Sequence, residues 1–460
     1  MTNFVCKAAV AFFACTGMAA HAAVSAEEAA RLGQDLTPTG AEKAGNGKTD
    51  PSVAIPEWDG GYDWTPVPEA RRRYPESYPG IGDQRPLFVI DQNNYEEYRD
   101  KLSVGQLAML ETYDTFRLPV YKSVRSYHAP DFYYEATKKN ATDARLENFG
   151  ESLVNAITGV PFPIPGSGQE VIWNHKTRYR GQSITRYNTQ LAVQTNGDYT
   201  ELHLQEDVLF TYNLPNARPE ELDNVMTYFL QLTTAPARIA GQILLVHETM
   251  DQLLDTRRAW LYNPGQRRVR RAPNVAYDNP GTGSDGLRTN DQLDVFNGAT
   301  DRYDWKLVGK KEIYIPYNAY ELVDNRKSYA DLTQARHMVP DNLRYELHRV
   351  WVVDSFLREG TSHIYKRRTF YVDEDSWTIA LVDIYDARDQ LWRVQEYHSV
   401  MLPWLKSIGP AGGIVYDLQS GRYLAMELSN EQPLFEEAEF DKNHFRTQNM
   451  VRIARQGRRR

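Results

Sequence analysis

Two periodicities divide the chain. From Glu170 onward apolar positions recur at every second residue: Leu202 and Leu204 alternate with charged neighbours, Tyr345, Leu347, Trp351 and Val353 share one side of a segment, and Trp392 and Val394 begin another. Successive side chains of an extended strand point to opposite faces, so this alternation predicts β-strands. Turn signals separate them: Asn196-Gly197, Asn263-Pro264-Gly265 with Pro and Gly placed for a type II turn, Glu359-Gly360, and Asp373-Glu374-Asp375-Ser376, whose acids read as turn residues. Before Glu170 the period changes. Ser103-Val104-Gly105-Gln106 forms a capping box that opens a helix with Leu107 and Leu110 inward. Asn140 can cap a second helix, in which Leu146, Phe149, Leu153 and Ile157 recur at three- and four-residue steps before Gly159 and Pro161 end it. No repeat of fixed period occurs, which removes support for solenoids and propellers. The pattern predicts a mainly β protein with few helices, built on a large antiparallel sheet.

Two segments lack periodicity. Ala26 to Arg85 is rich in Gly, Pro, Asp and Glu, and its Trp58, Tyr62 and Trp64 would be costly to leave in water, so it reads as an extended arm docked on the body. The stretch from about Ala272 to Asp304 is a long irregular insert, a length at which a loop is more often a functional element or lid than a spacer.

The first residues speak to location. A weakly basic start to Lys7, an apolar run from Ala8 to Ala20 and the small residues Ala20 and Ala22 around His21 read as a secretory signal peptide, too short to span a bilayer. Both cysteines, Cys6 and Cys15, lie inside it, so the exported protein would lack disulfides, thiol nucleophiles and Cys-ligated zinc. The expected organisation is a signal peptide over 1–22, a docked arm over 23–100 and a β body over 101–460. The net charge of -8 becomes -9 once Lys7 leaves, an acidity that argues against general nucleic-acid binding. The 12% aromatic content suits strands with amphipathic faces.

Catalytic patterns are absent: no Gly-x-Ser-x-Gly, His-Glu-x-x-His, phosphate loop or dinucleotide fingerprint occurs, and no catalytic residue, cofactor or metal ligand is assigned. His247-Glu248 is the nearest to an acid-base or metal pair, against a plain strand histidine. Asp285, Asp291, Asp294, Asp301 and Asp304 of the insert do not follow a calcium-loop spacing and read as solvated loop carboxylates. Arg267, Arg268, Arg270 and Arg271 make both faces of a hairpin basic. They could recognise an anionic head group or membrane surface, or pair with the Asp-rich insert. The remaining candidates are apolar: Trp351, Trp377 and Trp392 on strands, with Phe149 and Leu153 on the covering helix, are candidates to contact a hydrophobic ligand.

Several long phrases carry a family resemblance: Leu36-Thr37-Pro38-Thr39-Gly40-Ala41-Glu42, Gly159-Val160-Pro161-Phe162-Pro163-Ile164-Pro165, Ile172-Trp173-Asn174-His175, Tyr262-Asn263-Pro264-Gly265-Gln266-Arg267-Arg268-Val269-Arg270-Arg271-Ala272-Pro273 and Tyr371-Val372-Asp373-Glu374-Asp375-Ser376-Trp377. With them the chain resembles a bacterial family of exported proteins of unknown function, labelled outer-membrane lipoprotein-sorting protein homologues and related to the LolA and LolB lipoprotein carriers. The resemblance implies a curved antiparallel half-barrel covered by helices, with an apolar concave side that holds acyl chains. It also implies company, a resistance-nodulation-division type transporter and an outer-membrane β-barrel protein, and it carries over no catalytic residues. The expected function is therefore a periplasmic binding or shuttle protein for a lipid or other hydrophobic molecule, not an enzyme, with peripheral membrane contact. An exported hydrolase or metal-dependent enzyme, using His247-Glu248 or the Asp-rich insert, and a structural envelope protein are the alternatives.

The leader generates one prediction. The exported form should begin after Ala22 and carry no lipid on Cys15, and intact-mass measurement of periplasmic material showing a diacylglycerol adduct would refute it.

Overall fold

The computed structural model describes residues 24–61, 67–252, 254–272 and 277–457. The expected signal peptide, Tyr62 and Trp64 lie outside them. The protein is mainly β, and sixteen strands join one open sheet. Its path runs Phe88–Ile90, Leu118–Tyr121, Tyr345–Leu357, Arg367–Asp373, Ile379–Tyr385, Leu391–Leu402, Ser407–Asp417, Arg422–Leu428, Ser183–Val193, Tyr199–Leu209, Val225–Ala235, Ile243–Thr249, Arg258–Asn263 and Arg268–Arg271. Tyr303–Pro316 pairs along Tyr345–Leu357, and Glu436–Glu437 along Ser183–Val193. Pairing is antiparallel except where Leu118–Tyr121 meets Tyr345–Leu357. No helix among the described residues is long and apolar enough to cross a membrane.

The sheet curls. Leu391–Leu402 and Ile243–Thr249 lie six steps apart on the path, roughly 29 Å if flat at about 4.8 Å per strand. Yet Leu402 and Val246 line one cavity, so the strands between them wrap around it. Both faces are covered there. Phe229 points into the concave side, while Leu230 and Leu232 pack on the other side against Met450, Ile453 and Ala454 of the C-terminal helix Thr447–Gly457. That explains why Val225–Ala235 carries apolar residues on both faces, as in Tyr228, Phe229 and Leu230, instead of a simple alternation.

The first predicted helix is present as Val104–Thr112, with the Ser103–Gln106 capping box formed and Leu110 fully buried. The second is not. The helix here is Asp131–Asp143, and Asn140 lies in its last turn, where its amide donates to the carbonyls of Thr158 at 2.5 Å and Val160 at 3.4 Å. Leu146 and Leu153 belong to a hairpin, Arg145–Glu147 with Ser152–Val154, and stand directly opposite each other. Its turn runs from Asn148 to Glu151, and Asn148, Phe149 and Gly150 have φ of 54°, 58° and 88°, a left-handed run that no α-helix contains. Phe149 sits at the tip, 76% exposed.

The Asp373-Glu374-Asp375 turn is also different in kind from a solvated one. All three acids are buried, and they lock the arm to the body. Arg125 donates from Nε and Nη2 to the two Asp375 oxygens at 2.9 and 2.7 Å, and from Nη2 to the Glu42 carbonyl at 2.8 Å. Trp377 Nε1 donates to the Thr39 carbonyl at 2.9 Å, and Lys310 reaches both Glu374 and Glu42. Trp58, in the same arm, donates to the Tyr127 carbonyl at 3.2 Å.

Asp383 fixes the start of the helix Val104–Thr112. Its carboxylate accepts from Ser103 Oγ at 3.0 Å, Gly105 N at 2.8 Å and Tyr371 Oη at 2.9 Å. Residue 105 must be glycine, since a Cβ there would lie 2.4 Å from Asp383 Oδ1. With no ion pair to balance it among the described residues, burial pushes the Asp383 carboxyl up to about 6. The folded protein thus keeps a proton that the unfolded chain releases near pH 3.9. The contribution is full below about pH 4 and is lost as pH rises through 6, a swing of about 3 kcal/mol. Asp383→Asn cannot ionise and should lose that much less stability than the wild type between pH 4 and pH 7. Parallel pH profiles from urea unfolding of the two proteins would refute the assignment.

Candidate functional site

Strand register builds the floor of the concave cavity as cross-strand rows. Ile184 faces Val208, Val208 faces Phe229 and Phe229 faces Val246, which gives one continuous apolar row. Two residues along, Arg186 faces Glu206, Glu206 faces Gln231 and Gln231 faces Leu244, which gives a charged and polar row. The second row is internally satisfied. Glu206 accepts from Arg186 Nε, from Asn188 Nδ2 at 3.0 Å and from Gln231 Nε2 at 2.7 Å, while Arg186 Nη1 reaches Glu427 at 3.1 Å. Burial pushes the Glu427 carboxyl up against the pull of Arg186. Leu402, Leu405, Ile408, Pro410 and Phe435 extend the apolar wall.

The irregular insert forms the roof, contributing Thr282, Arg288, Asn290, Leu293, Asp294 and Asn297. Ion pairs locate it. Arg178 and Arg180, just beyond the helix Gly168–Thr177, both bind the Asp294 carboxylate. Burial alone would raise that carboxyl, but the two guanidinium groups outweigh it and hold Asp294 well below the usual range. Asp291 behaves alike: Arg368 at 2.9 Å and His363 at 3.1 Å overcome its burial. His175 Nδ1 accepts from Ile379 N at 3.1 Å, so its Nε2 is left to donate to the Asp294 carbonyl at 2.9 Å. Burial, then Arg178, pushes the ring down to about 3, so it stays neutral. Gln190 Nε2 ties the roof down at a further point, the Thr282 carbonyl at 3.0 Å.

The enclosed space offers about 90 Å³ to the centres of water molecules, within about 1160 Å³ free of protein atoms including its mouth. Of its charged lining residues, Lys176, Arg180, Arg186, Arg257 and Arg288 are cationic and only Glu248 and Asp294 anionic. Lys176 is 3% exposed, donates to the Gly298 carbonyl at 3.1 Å and lies 4.3 Å from the Trp173 ring centroid. Burial lowers its basicity. Glu248 pairs with Arg257 at 2.6 Å. A cavity with an apolar row beside a charged one suits a molecule with both characters.

Residues 89–451 match the family described as protein of unknown function (DUF1329). The chain belongs to that family. This DUF1329 protein is 51% identical over 417 residues to the uncharacterized protein PA3922 of Pseudomonas aeruginosa, a match spanning 89% of each chain. Among solved structures, one named as an outer membrane lipoprotein-sorting protein domain from Vibrio parahaemolyticus aligns over 62% of this chain and 98% of its own, at 14% identity and a TM-score of 0.43. A DUF1329 family protein from Desulfovibrio piger ATCC 29098 aligns over 59% and 92%, at 14% identity and a TM-score of 0.41.

Within the DUF1329 fold the residues singled out from the sequence scatter. Leu153 is buried with Trp173 and Tyr212. Trp377 stacks on Trp351 at 6.3 Å, and Trp392 donates to Asp417 at 3.0 Å. None of these, nor Phe149, is among the residues that line the cavity. His247 and Glu248 part company: His247 bonds the Phe445 carbonyl on the outer face at 2.9 Å, while Glu248 faces inward. Asp285, Asp291, Asp294 and Asp304 of the insert form ion pairs, with partners other than the basic hairpin, and Asp301 accepts from Tyr277 Oη at 2.9 Å. Arg267, Arg268, Arg270 and Arg271 are exposed and make no ion pair among the described residues. Arg267 lies in the turn, with φ of 52°, so the strand begins at Arg268. Sequence reasoning missed Arg186, Glu206, Gln231, Lys176 and Arg288. A signal existed for three of them: each is a polar residue in phase with the apolar positions of its strand, as in Ile184 and Arg186, Val208 and Glu206, Phe229 and Gln231.

Proposed function

We propose that this DUF1329 protein is a periplasmic carrier that binds a lipid or other hydrophobic molecule in the cavity beneath the insert. In this reading it passes cargo between an inner-membrane transporter and an outer-membrane partner, as the family resemblance implies. The observation that carries the reading is the apolar row Ile184, Val208, Phe229 and Val246 facing open space under a roof. Side chains of this kind would normally close on each other, and an unfilled apolar surface favours an apolar occupant. The enzyme reading has less to stand on. His247 and Glu248 lie on opposite faces, and the insert's Asp291 and Asp294 are engaged by arginines. His348, Asp373 and Asp375 bring ligand atoms within 4.8 Å, but Arg125 already occupies both Asp375 oxygens.

The neutral dye N-phenyl-1-naphthylamine should fluoresce on binding the wild type and raise its melting temperature, by mass action worth about 2.7 kcal/mol at a hundredfold excess over Kd. Val208→Trp fills the apolar row without adding charge. It should weaken dye binding at least about tenfold while the far-ultraviolet spectrum is kept, at a packing cost of about 1–3 kcal/mol. A wild type that binds no dye, and that shows no lipid by native mass spectrometry when purified from its own periplasm, would refute the carrier reading.

The exposed arginines of the edge hairpin fit contact with an anionic surface. Replacing Arg267, Arg268, Arg270 and Arg271 by Gln should reduce flotation with phosphatidylglycerol vesicles and leave the melting temperature nearly unchanged, because exposed charges add little stability. Unchanged flotation would remove the hairpin from membrane contact.

A further inference from the structure

We infer that the cargo is an anionic amphiphile whose carboxylate or phosphate head group seats on Arg288, with its tail along the apolar row; this rests on the carrier reading. Arg288 is 6% exposed and lines the cavity roof. It makes no ion pair among the described residues. Its guanidinium donates from Nη1 to the Thr289 carbonyl at 3.2 Å, and its Nε has no partner. The nearby carboxylates are committed elsewhere: Glu206 to Arg186, Asn188 and Gln231, Glu427 to Arg186, and Asp291 to Arg368 and His363. A buried cation left in this condition lowers stability, so a structural purpose explains it poorly.

The surroundings are arranged for that side chain. Gly281 packs flat against the guanidinium, where a Cβ would come within 2.4 Å of Nη1. The roof is tied down beside Gln190, on the strand that also carries Asn188 and Arg186 before it reaches Ile184. From the polar end of that strand the cavity therefore passes to the apolar row within a few residues, about 3.3 Å each. An anion at Arg288 would receive charge-assisted hydrogen bonds, and its attached chain would lie on Val208 and Phe229. A free inorganic anion would leave that apolar surface uncovered.

The test is competition against N-phenyl-1-naphthylamine bound to the full-length protein. Dodecanoate and dodecyl phosphate should displace it about ten- to a hundredfold more tightly than dodecanol, the worth of a charged hydrogen-bonded contact. Inorganic phosphate should not displace it. Arg288→Gln should bring the two anions to the level of dodecanol, and Arg288→Lys should keep part of the preference. Ligand-free Arg288→Gln should melt no lower than the wild type, since it loses an unpaired buried charge. Equal affinity for dodecanol and dodecanoate, equal affinity for inorganic phosphate, or an anion preference that survives Arg288→Gln would each overturn the inference and leave the carrier reading standing. A lower melting temperature in Arg288→Gln, rescued by Arg288→Lys with no change in preference, would make Arg288 structural. If the dye and all three dodecyl compounds fail to bind the wild type, the carrier reading falls with it.

Discussion

The cavity exists because one carboxylate accepts two guanidinium groups. Asp294 comes from an insert with little regular pairing of its own, and hydrophobic burial, which is non-directional, would let such a segment settle in many positions. Arg178 and Arg180 remove that freedom. Arg178, 1% exposed at its side chain, also donates to the His175 carbonyl at 2.8 Å, and His175 holds the Asp294 main chain, so the roof is fixed through both side chain and backbone. Such a buried network adds little net stability over an apolar replacement, but breaking it would cost about 3–5 kcal/mol. Its effect is to specify a position: the insert is held over the sheet at a distance that leaves room beneath it.

The second determinant is register. Ile184, Val208, Phe229 and Val246 form one row, and Arg186, Glu206, Gln231 and Leu244 the next, because antiparallel pairing sets in-phase residues side by side. A slip by one residue would carry every member to the other face. Such a slip is opposed twice over. Leu230, Leu232 and Leu245 on the outer face are buried under the C-terminal helix, so the strands cannot shift without exposing that surface as well.

Much of the architecture was legible in the sequence because strand alternation, the Ser103 capping box and the insert each have a local cause. The insert at about 272–304 is expected to be a functional element or lid, with the covering helix placed elsewhere, over Leu146 to Ile157; the insert's residues between Thr282 and Asn297 line the cavity. The helix placed over Leu146 to Ile157 failed for a definite reason. Leu146 and Leu153 are seven apart, a spacing that puts them on one helix face and equally lets them face each other across a four-residue hairpin turn. Only the backbone of Asn148, Phe149 and Gly150 decides, and Asn and Gly are the residues that tolerate left-handed φ. The site was less legible. Arg288 looks like any loop arginine in one dimension, and the burial of Asp373 to Asp375 depends on Arg125, some 250 residues away in sequence.

A cavity lined only by hydrocarbon discriminates weakly, since one methylene more or less changes binding by only about 1–3 kcal/mol. Polar groups sharpen the choice only when they have unmet demand. The row of Arg186, Glu206 and Gln231 has none, because its members satisfy one another and ask nothing of an occupant. Lys176 and Arg288 differ: both are buried and line the cavity, and neither has an ion-pair partner among the described residues. Lys176 keeps the Gly298 carbonyl and the Trp173 ring, whereas Arg288 keeps the Thr289 carbonyl alone and its Nε has no partner. On the carrier reading proposed above, the capacity of this cavity to tell one amphiphile from another would concentrate at Arg288, where an arriving charge would meet the least prior commitment.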